Sequence, residues 1–210
     1  MQLHCLPWET YYTPSVFEAC DRLVDEGLVR AYGVSVEKVE EALKAIESPS
    51  VATVQIIFNI FRQRPAELFF EQARLRDVGV IARVPLASGL LTGKLTRASH
   101  FAADDHRSFN RHGEQFDVGE TFSGVDYELG LEVVEQLGAL VPEGATLAQL
   151  ALRYILEFDA VSTVIPGART PEQARANAHA SELAPLSAST LETIAAVYAE
   201  RIAPQVHQRW

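Results

Sequence analysis

The sequence contains few cysteines and few basic residues, and each shortage excludes classes of protein. Its 210 residues include two cysteines, Cys5 and Cys20. A chain of this length can bury a core without cross-links, so we expect two free thiols in a reducing compartment. There are 18 lysines and arginines against 28 aspartates and glutamates, a formal net charge of −10. This charge argues against broad binding to nucleic acids or anionic membranes, because both require a cationic surface.

Long apolar runs are missing as well. No stretch approaches the ~20 apolar residues that cross a bilayer. The first residues also lack the basic and apolar regions of a signal peptide. We therefore expect a cytoplasmic protein with no membrane partner. Hydrophobic residues make up 48% of the chain and charged residues 22%, which is typical of one globular domain over residues 1–210.

Short β-branched runs alternate with amphipathic stretches along the chain. This alternation predicts an α/β fold with a parallel sheet wrapped by helices. The predicted strands are residues 2–5, 29–34, 53–58, 80–84 and 161–165. The predicted helices are residues 13–27, 39–46, 65–79, 124–140 and 146–158, followed by two more near the C-terminus. A long loop insertion is predicted at about residues 95–123.

Two architectures fit this alternation, an open doubly wound sheet and a closed (β/α)8 TIM barrel. No Gly-x-Gly-x-x-Gly motif follows any predicted strand, so the dinucleotide fingerprint of the open sheet is absent. The pattern favours the barrel. Five strand-helix units cannot close an eight-stranded barrel, so we expect an incomplete one that corresponds to the last five units.

Polar residues recur where the predicted strands end. In barrels, functional residues cluster at the carboxyl ends of strands and in the loops that follow. Two of these loops, residues 85–94 and 166–173, combine glycines with a cation, Lys94 in one and Arg169 in the other, which suits a phosphate group. A P-loop is excluded, because three residues separate Gly89 from Gly93-Lys94 where the motif requires four. The polar strand-end residues are His4, Ser35, Gln55, Asn59 and Arg83.

Several of these motifs, in this order, resemble those of the aldo-keto reductase family. They are Gln2-Leu-His4, Gly33-Val-Ser35, Gln55-Ile-Ile-Phe-Asn59, Pro85-Leu-Ala-Ser-Gly-Leu-Leu-Thr-Gly-Lys94 and Ile165-Pro-Gly-Ala-Arg-Thr-Pro-Glu-Gln-Ala-Arg-Ala-Asn177. The resemblance implies an aldo-keto reductase barrel that uses NADP(H) to reduce a small aldehyde or ketone to an alcohol. It also implies that His4 orients the substrate carbonyl.

The family's catalytic Asp, Tyr and Lys have no counterpart here, and the resemblance places them on strands that would precede Met1. We therefore expect the isolated chain to be inactive and more barrel to be encoded upstream. By the same resemblance, Ser35 and Gln55 bind the nicotinamide amide, Arg169 the 2′-phosphate, and Gln173 and Asn177 the adenosine. The full cofactor set that the resemblance implies is Ser35, Gln55, Arg83, Leu86, Ser88, Gly89, Leu91, Gly93, Lys94, Gly167, Arg169, Gln173 and Asn177.

Structural alternatives exist for these residues. Ser35 could cap a helix, and Gln173 could close a capping box with Thr170. Val36 stands where the family often has Asn, and Arg83 where an aromatic residue commonly stacks on the nicotinamide.

Two other functions stay open at this stage, a nucleotide-binding module without turnover and a metal-dependent barrel hydrolase. The hydrolase would use His100, His106 and His112 of the insertion. Because their spacing matches no common metal motif, we predict no metal site.

Overall fold

The computed structural model describes all of residues 1–210. Its centre is one parallel sheet of five strands, in the order β1-β2-β3-β4-β5. The order follows the chain without the reversal that defines a doubly wound sheet, and β1 does not pair with β5. The predicted incomplete barrel is therefore confirmed. The strands are β1 (Gln2–His4), β2 (Tyr32–Ser35), β3 (Val51–Ile57), β4 (Gly79–Arg83) and β5 (Val161–Val164).

Nine α-helices accompany the sheet, several of them extended by single 3₁₀ or π turns. None combines the length and apolarity that crossing a bilayer requires. The helices are α1 (Pro14–Asp25), α2 (Val39–Ala45), α3 (Phe69–Leu75), α4 (His106–Phe109), α5 (Tyr127–Gly138), α6 (Leu147–Ile155), α7 (Pro171–His179), α8 (Ala188–Val197) and α9 (Ala203–Val206).

Local sequence signals account for most helix boundaries. Gly27, with φ of 71°, ends the turn after α1 in the left-handed region that glycine adopts without strain. The Thr146–Gln149 capping box that opens α6 is confirmed. The predicted helix at residues 124–140 begins later than expected, because Asp126 caps α5 by accepting the Leu129 N–H at 3.0 Å.

The predicted start of the second strand is wrong. Residues 29–31 are not part of β2, which begins at Tyr32. The N–H groups of Leu28 and Val29 donate instead to Leu23 O at 3.0 and 3.2 Å. Both bonds are accepted by one carbonyl near the end of α1, so the chain must leave the helix before it can enter the sheet.

The core lies between the sheet and the helices. Fully buried Phe58 follows β3 and packs against Phe70 of α3, Tyr154 of α6 and Phe158, with ring centroids 4.7 to 6.1 Å apart. These contacts fix the helices against the sheet, and the carboxyl ends of the strands stay open to the loops.

The insertion at residues 95–123 is folded. It contains α4 and the 3₁₀ turns Val118–Glu120 and Phe122–Gly124. Trp210 packs against it, since its indole N–H donates to Asp117 Oδ1 at 2.8 Å. The indole ring also contacts the segment after β3, where it lies 4.0 Å from the Arg62 guanidinium. The insertion is thereby held over the carboxyl ends of the strands.

Candidate functional site

Three of the strand-end residues predicted from the sequence form one row across the sheet. His4 pairs in register with Ser35, and Ser35 with Gln55. Register partners in parallel strands point to the same face, so these three side chains share one side of the sheet. His4 is exposed, whereas Gln55 is half-buried and Ser35 is 0% exposed.

The Ser35 hydroxyl has no hydrogen-bond partner although it is fully buried. It caps no helix, so the structural alternative for Ser35 is wrong. Buried polar atoms are nearly always paired, and an unpaired one requires an explanation. The group suits a ligand that carries a hydrogen-bond donor or acceptor to this point of the sheet.

Arg83, at the end of β4, is directed into the protein. Its guanidinium forms an ion pair with Glu120 of the insertion and donates to Val36 O at 2.9 Å, while its Nε has no partner. The side chain therefore ties the insertion to the loop after β2.

A cavity of about 1030 Å³ lies between the loops after β4 and β5 and the start of the insertion. This volume is at the upper end of the range for small-molecule and cofactor sites. Over half of the predicted cofactor residues line it, namely Leu86, Ser88, Gly89, Lys94, Gly167, Arg169 and Gln173.

Two cations on the cavity wall have no acidic partner. Lys94 and Arg169 are exposed, and neither forms an ion pair. Arg169 immediately precedes Thr170, the N-cap of α7, whose hydroxyl accepts the Gln173 N–H at 3.2 Å. A helix N-terminus beside a free guanidinium is a favourable place for an anion.

The loop after β4 has a strained backbone. Val84, Ala87 and Ser88 have φ values of 50°, 47° and 53°, in the left-handed region that non-glycine residues seldom adopt. Such strain persists only where the surroundings enforce it, and it is common at ligand-binding sites. Here the Ser88 hydroxyl donates to Glu120 O at 3.1 Å and accepts the Phe122 N–H at 3.0 Å.

Several predicted cofactor residues lie outside the cavity. Leu91 is buried in the core, and its N–H donates to Leu86 O at 3.2 Å. Asn177 lines a second cavity of about 430 Å³ and donates to Gly167 O at 3.2 Å. Gln173, which does line the cavity, accepts the Arg169 N–H at 2.7 Å rather than that of Thr170, so the expected capping box does not close. The others outside the cavity are Ser35, Gln55, Arg83 and Gly93.

Sequence reasoning missed the cavity residues that the insertion contributes. Arg107 lines the cavity, donates to Ser88 O at 3.3 Å and stacks over the Phe101 ring at 4.4 Å. Arg107 also forms a 2.6 Å ion pair with Asp105, and these bonds lower the pKa of Asp105 to about 2. The insertion shows no strand or helix periodicity that could have marked these residues.

His100, His106 and His112 are not among the residues whose potential metal-ligating groups converge. Potential metal-ligating groups converge at one place, where ligand atoms of Cys5, Glu37 and Glu120 lie within 4.8 Å of one another. Burial raises the pKa of the Cys5 thiol to about 11, with Arg83 opposing and Glu37 and Glu120 adding to the shift. Burial and the neighbouring carboxylates also raise the pKa of Glu37.

Comparison with known proteins identifies the family. The aldo/keto reductase family profile matches residues 1–199. An uncharacterized oxidoreductase of Bacillus subtilis, YqkF, is 26% identical over 178 residues, which cover 84% of this chain and 53% of that protein. The holo form of the aldo-keto reductase AKR11C1 from Bacillus halodurans has a TM-score of 0.69 at 25% identity, covering 93% of this chain and 59% of that one.

A third comparison supports a shared fold and nothing further, because the sequence identity is low. An aldo/keto reductase from Klebsiella pneumoniae, solved in complex with NADP and acetate, has a TM-score of 0.62 at 22% identity and covers 94% of this chain and 57% of its own. The chain spans about half the length of the curated relatives that it matches. It belongs to the aldo/keto reductase family.

Proposed function

We propose that residues 1–210 form one domain that binds NADP(H) along the carboxyl ends of its strands, as part of an enzyme that reduces a small aldehyde or ketone to an alcohol. The observation that carries the proposal is the cavity with two unpaired cations, Lys94 and Arg169, beside the N-terminus of α7. The partnerless hydroxyl of Ser35 lies at the same edge of the sheet. Phosphate groups and a carboxamide are the ligand groups that these features suit.

Each residue then has a distinct role. Arg169 offers a planar fork for the 2′-phosphate, and Lys94 adds a point charge. Ser35 and Gln55, register partners on one face of the sheet, hydrogen-bond the carboxamide. His4, in the same row, donates a hydrogen bond that orients the substrate carbonyl. The bound nicotinamide supplies the hydride.

The insertion would cover the bound nucleotide. Arg107, held by Asp105 and by Phe101, lines the same cavity as Arg169. Long loops of this kind commonly exclude water from a reaction site. Gly89 and Gly167 line the same space without a side chain, which leaves backbone groups accessible to phosphate oxygens, and Leu86 adds an uncharged wall.

The test is a fluorescence titration of the chain with NADPH and with NADH. A bidentate arginine-phosphate contact contributes about 1.5 to 3 kcal/mol. Arg169→Ala should therefore weaken NADPH binding by roughly 10- to 100-fold and NADH binding far less. Arg175→Ala, an exposed arginine of α7 that does not line the cavity, should change neither. Equal losses for the two nucleotides would count against the assignment, and no binding of either would refute the nucleotide site.

A second function, nucleotide binding without turnover, is favoured by one observation. Of the catalytic residues that the family resemblance implies, His4 alone has a counterpart in this sequence. Nucleotide binding alone does not separate this function from the first, but a turnover measurement does.

A further inference from the structure

A cluster beside the proposed cofactor site holds three potential metal-ligating groups from separate elements. Cys5 follows β1, Glu37 follows β2, and Glu120 ends a 3₁₀ turn of the insertion. Their ligand atoms lie within 4.8 Å of one another. All three residues are half-buried, so the cluster is reachable from solvent and yet partly desolvated.

Charge at this cluster is unbalanced. The Arg83 guanidinium bridges part of it, because Nη1 bonds to Glu120 and Nη2 lies 4.0 Å from Cys5 Sγ. Arg62 is the other cation of the neighbourhood. Four carboxylates act electrostatically on Cys5 or Glu37, against these two guanidiniums, so negative charge is in excess. The carboxylates are Glu37, Glu41, Asp117 and Glu120.

A buried hydroxyl adds an independent indication of a ligand. Tyr11 is 3% exposed, and its hydroxyl has no hydrogen-bond partner. The Leu6 N–H is nearby without forming a hydrogen bond of normal geometry. Cys5 and Glu37 both raise the pKa of the Tyr11 hydroxyl, which is therefore within electrostatic range of the cluster. A water bound to a metal ion at the cluster would provide the missing partner.

We propose that Cys5, Glu37 and Glu120 bind a divalent cation of the zinc type. One thiolate with two carboxylates is a donor set that zinc accepts, and three protein ligands leave a fourth position for water. Zn–S and Zn–O bonds are about 2.3 and 2.1 Å long, so the ligand atoms of a tetrahedral zinc site lie roughly 3.6 Å apart. The present ligand atoms lie within 4.8 Å of one another, and side-chain rotations that move them by about 1 Å would close the site. Binding breaks the Cys5 S–H bond, releases the proton to solvent and forms a sulfur–metal bond. Glu120 also lines the nucleotide cavity, but the metal site requires no bound nucleotide.

Cadmium is a suitable probe, because a cadmium–thiolate bond produces an ultraviolet charge-transfer band. Titration of the 210-residue chain should produce this band and saturate at one equivalent. Cys20→Ser should keep the band, since Cys20 is buried in α1, outside the cluster. Cys5→Ser should abolish it. A band that survives in Cys5→Ser, or its absence from the unmodified chain, would overturn the proposal.

Two further measurements test the carboxylates and the hydroxyl. Glu37→Gln and Glu120→Gln should each weaken zinc binding at least tenfold in a competition assay with a chromophoric chelator, and Tyr11→Phe about tenfold, as outer partners of metal sites commonly do. Zinc should also protect Cys5 of the unmodified chain from alkylation, as read by peptide mass spectrometry, which requires no variant to fold. Unchanged affinity in both Gln variants, or unchanged Cys5 alkylation, would show that no such site exists.

Discussion

Two buried polar side chains near strand ends, Asn59 and Ser35, differ in whether their hydrogen bonds are satisfied. The Asn59 amide donates to Val84 O at 2.9 Å and to Ser123 Oγ at 2.8 Å, and its carbonyl accepts the Phe61 N–H at 2.8 Å. Ser35 makes no side-chain hydrogen bond. From this contrast we infer that Asn59 stabilises the fold and that Ser35 contributes to ligand binding.

Replacing Asn59 should therefore destabilise the chain. Asn59→Ala leaves buried backbone and hydroxyl groups unpaired, at a cost of about 1–3 kcal/mol for each. We expect a lower urea midpoint with an unchanged slope. Gln136→Ala, an exposed amide on α5, should stay within about 0.5 kcal/mol of the unmodified chain. A stability loss no larger than that of the Gln136 variant would contradict this role for Asn59.

Replacing Ser35 should have the opposite effect, since stability should be kept and NADPH affinity should fall. Ser35→Ala removes a buried hydroxyl that has no partner, so the urea midpoint should stay the same or rise. NADPH affinity should fall by about 2- to 10-fold, which corresponds to one lost hydrogen bond of about 0.5–1.5 kcal/mol. The two readouts are measured on the same protein preparation. A drop in stability with unchanged NADPH affinity would assign Ser35 to the fold.

The sequence predicted the positions of Ser35 and Asn59 but not this difference. Each follows an apolar run in the sequence. That apolar pattern could not distinguish a turn residue from a side chain that forms several buried hydrogen bonds. The partner of Asn59, Ser123, is 64 residues further along the chain. Such a contact depends on how the insertion folds back, which no local signal encodes.

At the scale of elements, regular segments were predictable and the insertion was not. Short apolar runs located all five strands within a few residues. Burial on both faces imposes such a run on the inner strand β2, whereas the edge strands β1 and β5 are largely exposed. The start of β2 was wrong because the end of α1 used the N–H groups of Leu28 and Val29. The insertion is held instead by separate polar contacts, such as Arg83–Glu120 and Asp105–Arg107.

Because Asp105 and Arg107 form an ion pair within the insertion, we expect the stability of the chain to fall in acid. The Arg107 side chain and N–H hold the pKa of Asp105 at about 2, below its ordinary 3.8. A carboxyl whose pKa is lower in the folded state stabilises the fold above its unfolded pKa, and this contribution is lost as pH falls. Urea midpoints should thus fall between about pH 4 and pH 2 more steeply for the unmodified chain than for Asp105→Asn. Parallel pH profiles for the two proteins would disprove this coupling.

At the scale of the whole molecule, the chain contains many of the cofactor-binding residues that the family resemblance predicts but few of the catalytic ones. The loops after β4 and β5 contain most of the predicted cofactor residues around one cavity. Of the catalytic residues that the family resemblance implies, we predict a counterpart in this chain for His4 alone. The chain also covers about half of its curated relatives, and its sheet is open between β1 and β5. We therefore predict that nucleotide binding and turnover can be measured as separate properties of this chain.

We expect the 210-residue chain to bind NADPH without oxidising it in the presence of aldehydes or ketones. Reduction requires a proton donor at the carbonyl oxygen, and a positioned general acid contributes about 10²- to 10⁴-fold. Tyr11 is a poor substitute, because burial and then the nearby Glu41 raise the pKa of its hydroxyl and so weaken it as an acid. His4 can orient a carbonyl, but it is exposed to water at the end of β1.

The measurement is NADPH absorbance over time with a panel of small carbonyl compounds. The Bacillus halodurans aldo-keto reductase serves as the positive control, and His4→Ala as the matched variant of this chain. The rate with the 210-residue chain should equal the rate of its His4→Ala variant and the rate without protein, even at NADPH concentrations that saturate binding. Sustained NADPH oxidation that disappears in His4→Ala would show that this chain supplies its own proton donor, and Tyr11→Phe would then be the first variant to examine.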